Sequence, residues 1–432
     1  MFLPFLAPVL VIGVLVLVHE MGHFVVAKWR GIRVETFSIG FGPAIAGFRR
    51  GDTFYKISWI PFGGYVKMSG EDPEEDEAGR DEPWRFHRKS VADRAAVILA
   101  GPAANFVLAA LVYSLIFYAY GADWIETTVV GFVLPGTAAE EAGVLPGDRV
   151  VRVGGDPVGD WVEMAGRIGK REDGPLLLTV EREGTERTIS LKPREGEPVG
   201  IAPEYDTRVG AVSPEGPAGA AGLARGDRIL AVDGERVRTW REMRGRIEAA
   251  PGRELEILYE RAGTENRVRI TPDPVEETGP DGTIRTVGKL QIGEYVDKKR
   301  LGPIGAFAEG ARQTWWVTEN VFVFLQRLFT GGVSRDMVGG PVSIFNLSRE
   351  SAKRGLDTLL TLLAFLSVEL GILNLFPIPV LDGGHMVFLG IEAVRRKPLA
   401  LKHRLIAQQV GLLVILTMMV TVTFFDVGRL FD

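Results

Sequence analysis

The sequence has no cysteine, which removes disulfide frameworks, thiolate-ligated zinc sites and cysteine nucleophiles together. Metal or nucleophile chemistry must then use His, Asp, Glu, Ser, Thr or Lys, and cysteine usage carries no information about compartment. Histidine is scarce too, at five residues, so each can be weighed singly. An excess of positive charge is also missing: 50 Lys and Arg stand against 55 Asp and Glu, a net charge of −5. Without a basic stripe, nucleic acid is not an expected partner. A hydrophobic content of 46% in 432 residues excludes a disordered or collagen-like chain and allows two to four domains.

What is present is unevenly spread, with apolar residues at the two ends and a polar middle. Four runs are long enough to span a bilayer core of about 20 helical residues: Pro4 to Ala27, Ala95 to Tyr120, Thr358 to Leu381 and Leu405 to Phe425. The second and fourth carry no charge, and the third carries only Glu369 before Pro377 and Pro379 break it. A cleaved signal peptide is the rival reading of the first run, but Met1 to Leu3 offers no positive n-region and no small-residue cleavage site follows. Basic residues cluster after the first run (Lys28, Arg30, Arg33), before the second (Arg85, Arg88, Lys89, Arg94) and before the fourth (Arg395, Arg396, Lys397, Lys402, Arg404). By the positive-inside rule these loops are cytoplasmic, and both termini and the long middle region lie outside. Arg349, Lys353 and Arg354 argue the other way, from a long translocated region where the rule is weak.

The middle holds a duplication. Gly131 to Ile168 aligns without gaps on Gly210 to Ile247, 79 residues on, with 18 identities in 38 positions. Both copies contain Ala-Gly, Gly-Asp-Arg, Gly, Trp and Glu-Met in register, starting at Ala142 and Ala221. The A-G-x-x-x-G-D-R-[VI] pattern resembles bacterial PDZ domains, and Pro198 to Ile201 looks like their carboxylate-binding loop, where a peptide terminus docks beside a strand edge. Peptide capture and steric gating are the competing roles. Between the first two spans, Glu35 to Glu71 reads as β-hairpins, confined to the interface or to a polar cavity because lipid cannot satisfy an open sheet edge. The acidic run Glu71 to Glu77 reads as a solvated cytoplasmic loop.

Chemistry concentrates in His19-Glu20-Met21-Gly22-His23. Helical residues four apart share a face, so two imidazoles can converge on one metal, zinc being the first choice, with Glu20 as general base toward an activated water. H-E-x-x-H by itself recurs by chance, but ionisable groups inside a membrane span are costly and functional by default. A catalytic zinc needs a third protein ligand. Asp382, at the proline-broken end of the third run, is one candidate, with Gly383-Gly384 allowing a tight turn. Glu369, otherwise a structural group, and His385, equally an outer-shell partner, are the others. His87 and His403 read as surface residues.

The H-E-x-x-H motif in the first span, N-x-x-P-x-P-x-L-D-G-G from Asn374 to Gly384, and Gly101-Pro102-Ala103-Ala104-Asn105 in the second span together resemble the site-2 protease family of intramembrane zinc metalloproteases. The tandem PDZ insertion resembles its branch that regulates extracytoplasmic stress signalling. The resemblance covers essentially the whole chain. It implies that His19, His23 and Asp382 bind Zn2+ and that Glu20 is the base. It further implies that Asn374 holds unwound substrate backbone and that Tyr65, Val66, Lys67 and Met68 form an edge strand pairing with an extended substrate. A membrane-associated helix after the PDZ pair is implied as well, for which Trp315 to Phe329 would serve.

The expected fold is a polytopic α-helical membrane protein with four transmembrane helices, a membrane-associated β-hairpin region and two extracytoplasmic α+β PDZ domains. The expected domains are 1–120, 121–204 (first PDZ), 205–297 (second PDZ), 298–357 (membrane-associated linker helix) and 358–432. The expected function is cleavage of single-span membrane proteins, an anti-sigma factor above all and also signal-peptide remnants, in a bacterial inner membrane with the active site toward the cytoplasm. Expected partners are those substrates, the lipid bilayer and peptide C-termini at the PDZ domains. The alternative is a noncatalytic adaptor that binds peptide termini; metal transport fits poorly because intramembrane polar residues are few.

Overall fold

The computed structural model describes residues 3–71, 82–169, 174–193, 198–278, 283–330 and 339–428. The acidic run read as a solvated loop thus lies, beyond Glu71, outside the described residues. The chain forms two compact units: one of Met1–Ala122 with Arg300–Asp432, the other of Asp123–Lys299.

In the first unit, α1 (Leu3–Trp29) and α2 (Val91–Tyr120) are apolar on all sides, the pattern of helices surrounded by lipid or protein rather than water. Ser90 caps α2 by accepting the Asp93 N–H at 3.1 Å, and Gly121 ends it at φ 82°, a left-handed stop open to glycine. Small residues let the two helices touch. A Cβ on Gly22 would lie 2.2 Å from the Ala100 carbonyl, so only glycine permits this crossing.

Between them run β1 (Val34–Arg50) and β2 (Thr53–Met68). Each is long enough to pair twice. Phe37 has Val66 on one side and Tyr55 on the other, while Phe48 pairs with Tyr55. The two strands therefore make four segments in the order 64–68, 34–41, 53–60, 44–50, and 64–68 is an outer edge. Phe37, Val66 and Met68 bury against Ala27 of α1 and Val97 of α2. Phe48, Ile57, Trp59 and Ile60, farther along the ribbon, are exposed.

The C-terminal part of this unit comprises α3 (Pro303–Phe329), α4 (Pro341–Arg354), α5 (Leu356–Asn374), α6 (Asp382–Arg395) and α7 (Leu401–Gly428). Val317 of α3 and Ala364, Val368 and Ile372 of α5 pack around Ala109, Val112 and Tyr113 of α2. Arg94 at the start of α2 holds Glu392 of α6 by two hydrogen bonds, one of 3.1 Å. Asp426 near the end of α7 accepts from the Gly340 N–H at 3.0 Å, the Ser343 N–H at 3.0 Å and the Ser343 hydroxyl at 2.7 Å, capping the N-terminus of α4. Among the described residues four helices, α1, α2, α5 and α7, are long and apolar enough to cross a membrane.

The second unit contains the two copies. Each has a four-stranded antiparallel sheet, 149–153 with 156–157, 176–182 and 185–191 in the first copy and 228–232 with 235–236, 255–261 and 264–270 in the second. Each adds a strand pair, Val130–Val133 with Ile201–Pro203 and Val209–Val212 with Ile292–Glu294. Their cores coincide at the same 79-residue offset. Val130, Ala139, Val150, Met164, Leu178 and Leu191 of one match Val209, Ala218, Ile229, Met243, Ile257 and Ile270 of the other. The second copy inserts one more hairpin, Asp273–Thr278 with Ile284–Lys289.

Candidate metal centre

α1 presents His19 and His23 one turn apart, both 8% exposed, with their Nε2 atoms 3.2 Å apart. Asp382, the first residue of α6, places Oδ2 3.1 Å from His19 Nε2 and 3.5 Å from His23 Nε2. Ligands 2.0–2.1 Å from a tetrahedral zinc stand roughly 3.3 Å from one another, so this triangle has the edge lengths of three zinc ligands. Asp382 Oδ2 is shielded from solvent and accepts no hydrogen bond, as an atom reserved for a cation would. Among the described residues these three form the cluster fit to hold a metal ion.

The surrounding backbone sets the orientation of each ligand. His23 Nδ1 lies 2.8 Å from the Val97 carbonyl, so that nitrogen carries the proton and Nε2 faces the triangle with its lone pair. α2 comes this close because residue 101 is glycine. A Cβ there would lie 2.3 Å from His23 Nε2 and 2.8 Å from His19 Cε1. One residue later Pro102 lacks the N–H that would bind the Ile98 carbonyl, so α2 has one backbone hydrogen bond fewer where it meets the histidines.

Asp382 is aimed by the break between α5 and α6. Leu375 and Phe376 close α5 with N–H bonds to Ile372 and Leu373 carbonyls, and Leu381 bonds back to Ile378. The expectation that Gly383-Gly384 makes a tight turn needs correcting: neither has positive φ, and both lie in the first turn of α6. Their role is close approach, since Cβ atoms would lie 2.2 Å from the Leu375 and Ile378 carbonyls.

Glu20 sits between the triangle and the sheet. The Val66 N–H donates to its carboxylate, and Gly64 packs beside its Cγ. On the same outer edge the Met68 N–H donates to Glu71 at 3.1 Å. Tyr65 stacks on Phe41, and Lys67 pairs with Glu35 at 3.4 Å. Asn374 is the last residue of α5 and half-buried. Glu369, within α5, and His385, whose ring abuts Phe388, do not join the cluster. His403 is exposed, but His87, read as a surface residue, is half-buried beside the Gly70 carbonyl at 3.3 Å.

In the second unit, Pro198–Ile201 leads into the strand that pairs with Val130–Val133, with Gly200 at φ 89°. The equivalent segment in the second copy is Leu290-Gln291-Ile292, where Gln291 takes φ 58°. Sequence reading missed it because glutamine replaces the marker glycine and the inserted hairpin shifts the offset. A matching N–H to carbonyl bond, Ala139 to Val199 and Ala218 to Leu290, identifies it. A cavity of about 200 Å³ lies beside it, lined by Trp240, Met243, Ile247, Leu290 and Ile292.

Comparison with known proteins adds to this picture. Residues 7–418 match the profile of peptidase family M50. A protein of Neisseria meningitidis named as a zinc metalloprotease is 35% identical over 98% of this chain and 99% of its own length. The regulator of sigma-E protease RseP is 35% identical in Salmonella typhimurium and 34% in Escherichia coli, covering 98% of both chains in each case. Among solved structures, a PDZ domain of a Listeria monocytogenes protein aligns at 22% identity, covering 21% of this chain and 85% of that one, with a TM-score of 0.16.

Proposed function

The chain belongs to peptidase family M50, the site-2 proteases, and is an intramembrane zinc metalloprotease; from that premise we propose that His19, His23 and Asp382 hold the zinc and that Glu20 is the general base. The observation that carries this assignment is the 3.1–3.5 Å triangle of His19 Nε2, His23 Nε2 and Asp382 Oδ2. Family membership does not favour the noncatalytic adaptor.

Bound zinc supplies Lewis acidity, polarising a scissile carbonyl and acidifying water. The remaining work falls to the chain. Glu20, held by the Val66 N–H, takes the proton of the attacking water and returns it to the leaving amide nitrogen. A helical substrate hides its carbonyls in internal hydrogen bonds and must unwind first. The 64–68 edge offers a strand partner for the unwound segment, through Tyr65, Val66, Lys67 and Met68, and the Asn374 amide offers a donor and acceptor to backbone beside it. The names of the RseP relatives support a substrate of the anti-sigma-factor type, a single-span protein of the bacterial inner membrane. The clusters of Lys and Arg at the span ends support a multi-pass orientation with the copies of the second unit outside the cytoplasm. We assign those copies chiefly to excluding substrates with bulky outer portions, since the roles proposed for the edge strand and Asn374 already give the substrate its contacts within the membrane unit.

The test compares wild type with Glu20→Gln for zinc content and for cleavage of a single-span substrate. Zinc should remain and cleavage should fall by about 10²–10⁴-fold; full activity in the variant would sink the assignment. For the second unit, deleting residues 127–295 should allow cleavage of a substrate with a large outer domain that wild type spares.

A further inference from the structure

The reading above leaves Asn105 without a role. It lies one turn after Gly101 on α2, is fully buried, and its backbone carbonyl accepts the Ser367 hydroxyl at 2.8 Å. Its Nδ2 stands 3.3 Å from His19 Nδ1, while its Oδ1 is buried with no hydrogen-bond partner. These facts conflict if His19 gives its Nε2 lone pair to a metal. The ring proton is then on Nδ1, and two N–H donors would face each other. A half-turn of the amide, which exchanges nitrogen and oxygen without moving the side chain, puts an acceptor opposite Nδ1–H and gives the orphaned oxygen a partner.

We propose that Asn105 is a positioning residue of the metal centre: its side-chain carbonyl accepts the Nδ1–H of His19 and fixes the ring so that Nε2 points at His23 and Asp382. The two histidines are thus held by different means, His23 by the Val97 backbone carbonyl and His19 by a side chain. Both holds come from α2, eight residues apart along one helix. This inference rests on the metal reading of the triangle. Outer-shell acceptors of this kind are worth about 10–100-fold in metal affinity.

The experiment uses the purified full-length protein and measures zinc affinity by chelator competition and the visible spectrum of the Co2+-substituted protein. Asn105→Leu keeps the volume and removes the acceptor; it should weaken zinc by about 10–100-fold and alter the cobalt spectrum. Asn105→Asp keeps an acceptor and should stay close to wild type in both. Ser367→Ala, which removes only the bond to the Asn105 backbone, should also leave both unchanged. If Asn105→Leu fails to fold, Asn105→Ala is read by the same criteria. Wild-type affinity in the Leu variant, or equal loss in the Asp variant, overturns the proposal. His19→Ala separates the premises: if it too binds zinc like wild type, the metal reading itself has failed, whereas loss in His19→Ala with none in Asn105→Leu rejects the role of Asn105 alone.

Discussion

Asp148 and Asp227 in the second unit are buried carboxylates, Asp382 in the first is a half-buried one, and they are treated in opposite ways. Asp148 accepts from the Leu145 N–H at 2.9 Å and from Arg182 Nε at 2.6 Å, and Asp227 repeats this with Ala224 at 2.8 Å and Arg261 at 2.7 Å. The same arginines also bind the Gly143 and Gly222 carbonyls at 2.8 Å. Every lone pair that matters is spent on holding a turn. Asp382 Oδ2 has no donor at all and faces two imidazole nitrogens. A carboxylate used for structure is saturated, whereas one kept for a cation is left open at a cost in stability of the empty fold.

Four outcomes would break or sharpen this contrast. Asp382→Asn should show the largest effect, losing zinc by more than the 10–100-fold typical of an outer-shell change, with cleavage lost in parallel; Glu369→Gln should keep wild-type zinc. Equal metal content under limiting zinc in wild type and Asp382→Asn would mean the open carboxylate is not a ligand. Next, Gly101→Ala puts a methyl among the ligands and should cost about 1–3 kcal/mol of metal binding, a roughly ten- to hundredfold weaker affinity by chelator competition. Asp227→Ala should leave zinc and membrane helices alone but destabilise its own domain by about 1–3 kcal/mol, because the Ala224 N–H loses its partner; thermal unfolding followed in the second unit reads this.

The smallest effect is the response to acid. Burial by itself would raise Asp148 and Asp227, but the arginine and backbone hydrogen bonds outweigh it and hold both below the usual carboxylate range. Folded values lower than unfolded ones mean that the contribution is complete above about pH 4, the unfolded carboxylate value, and is lost as pH falls through the folded values. A melting temperature of the second unit that stays flat from pH 6 to 5 and declines below 4 is expected; a decline beginning above pH 5 would point to other groups.

Much of this was legible before the fold. Uninterrupted apolar runs marked the spans, H-E-x-x-H marked the helix face, and a fixed offset marked the duplicated cores, because each is a local or periodic signal. The assembly of the centre is not local. His23 depends on a carbonyl of Val97, which carries no sign of metal chemistry, and on the missing side chain of Gly101, which the motif in the second span marked without giving the reason for it. The double pairing of β1 and β2 is equally hidden, since alternation along a strand says which face is buried and nothing about how many neighbours it has. The segment Leu290–Ile292 escaped because glutamine adopted a backbone conformation that glycine usually announces.

The last span is attached differently from the others. α7 is scarcely buried in its membrane-crossing stretch, touches the α5–α6 break at Gly411 against Pro379, and is fastened at Asp426 to the start of α4. Mechanically it is a pinned rod, whereas α2 is a wedged one. A wedged helix resists displacement along its whole length; a pinned helix swings about its fastenings, and its excursions grow with distance from them. Among the described residues the Asp426 carboxylate and the Gly411 contact are two of the fastenings on that side, and Asp426→Ala would remove the one at the start of α4.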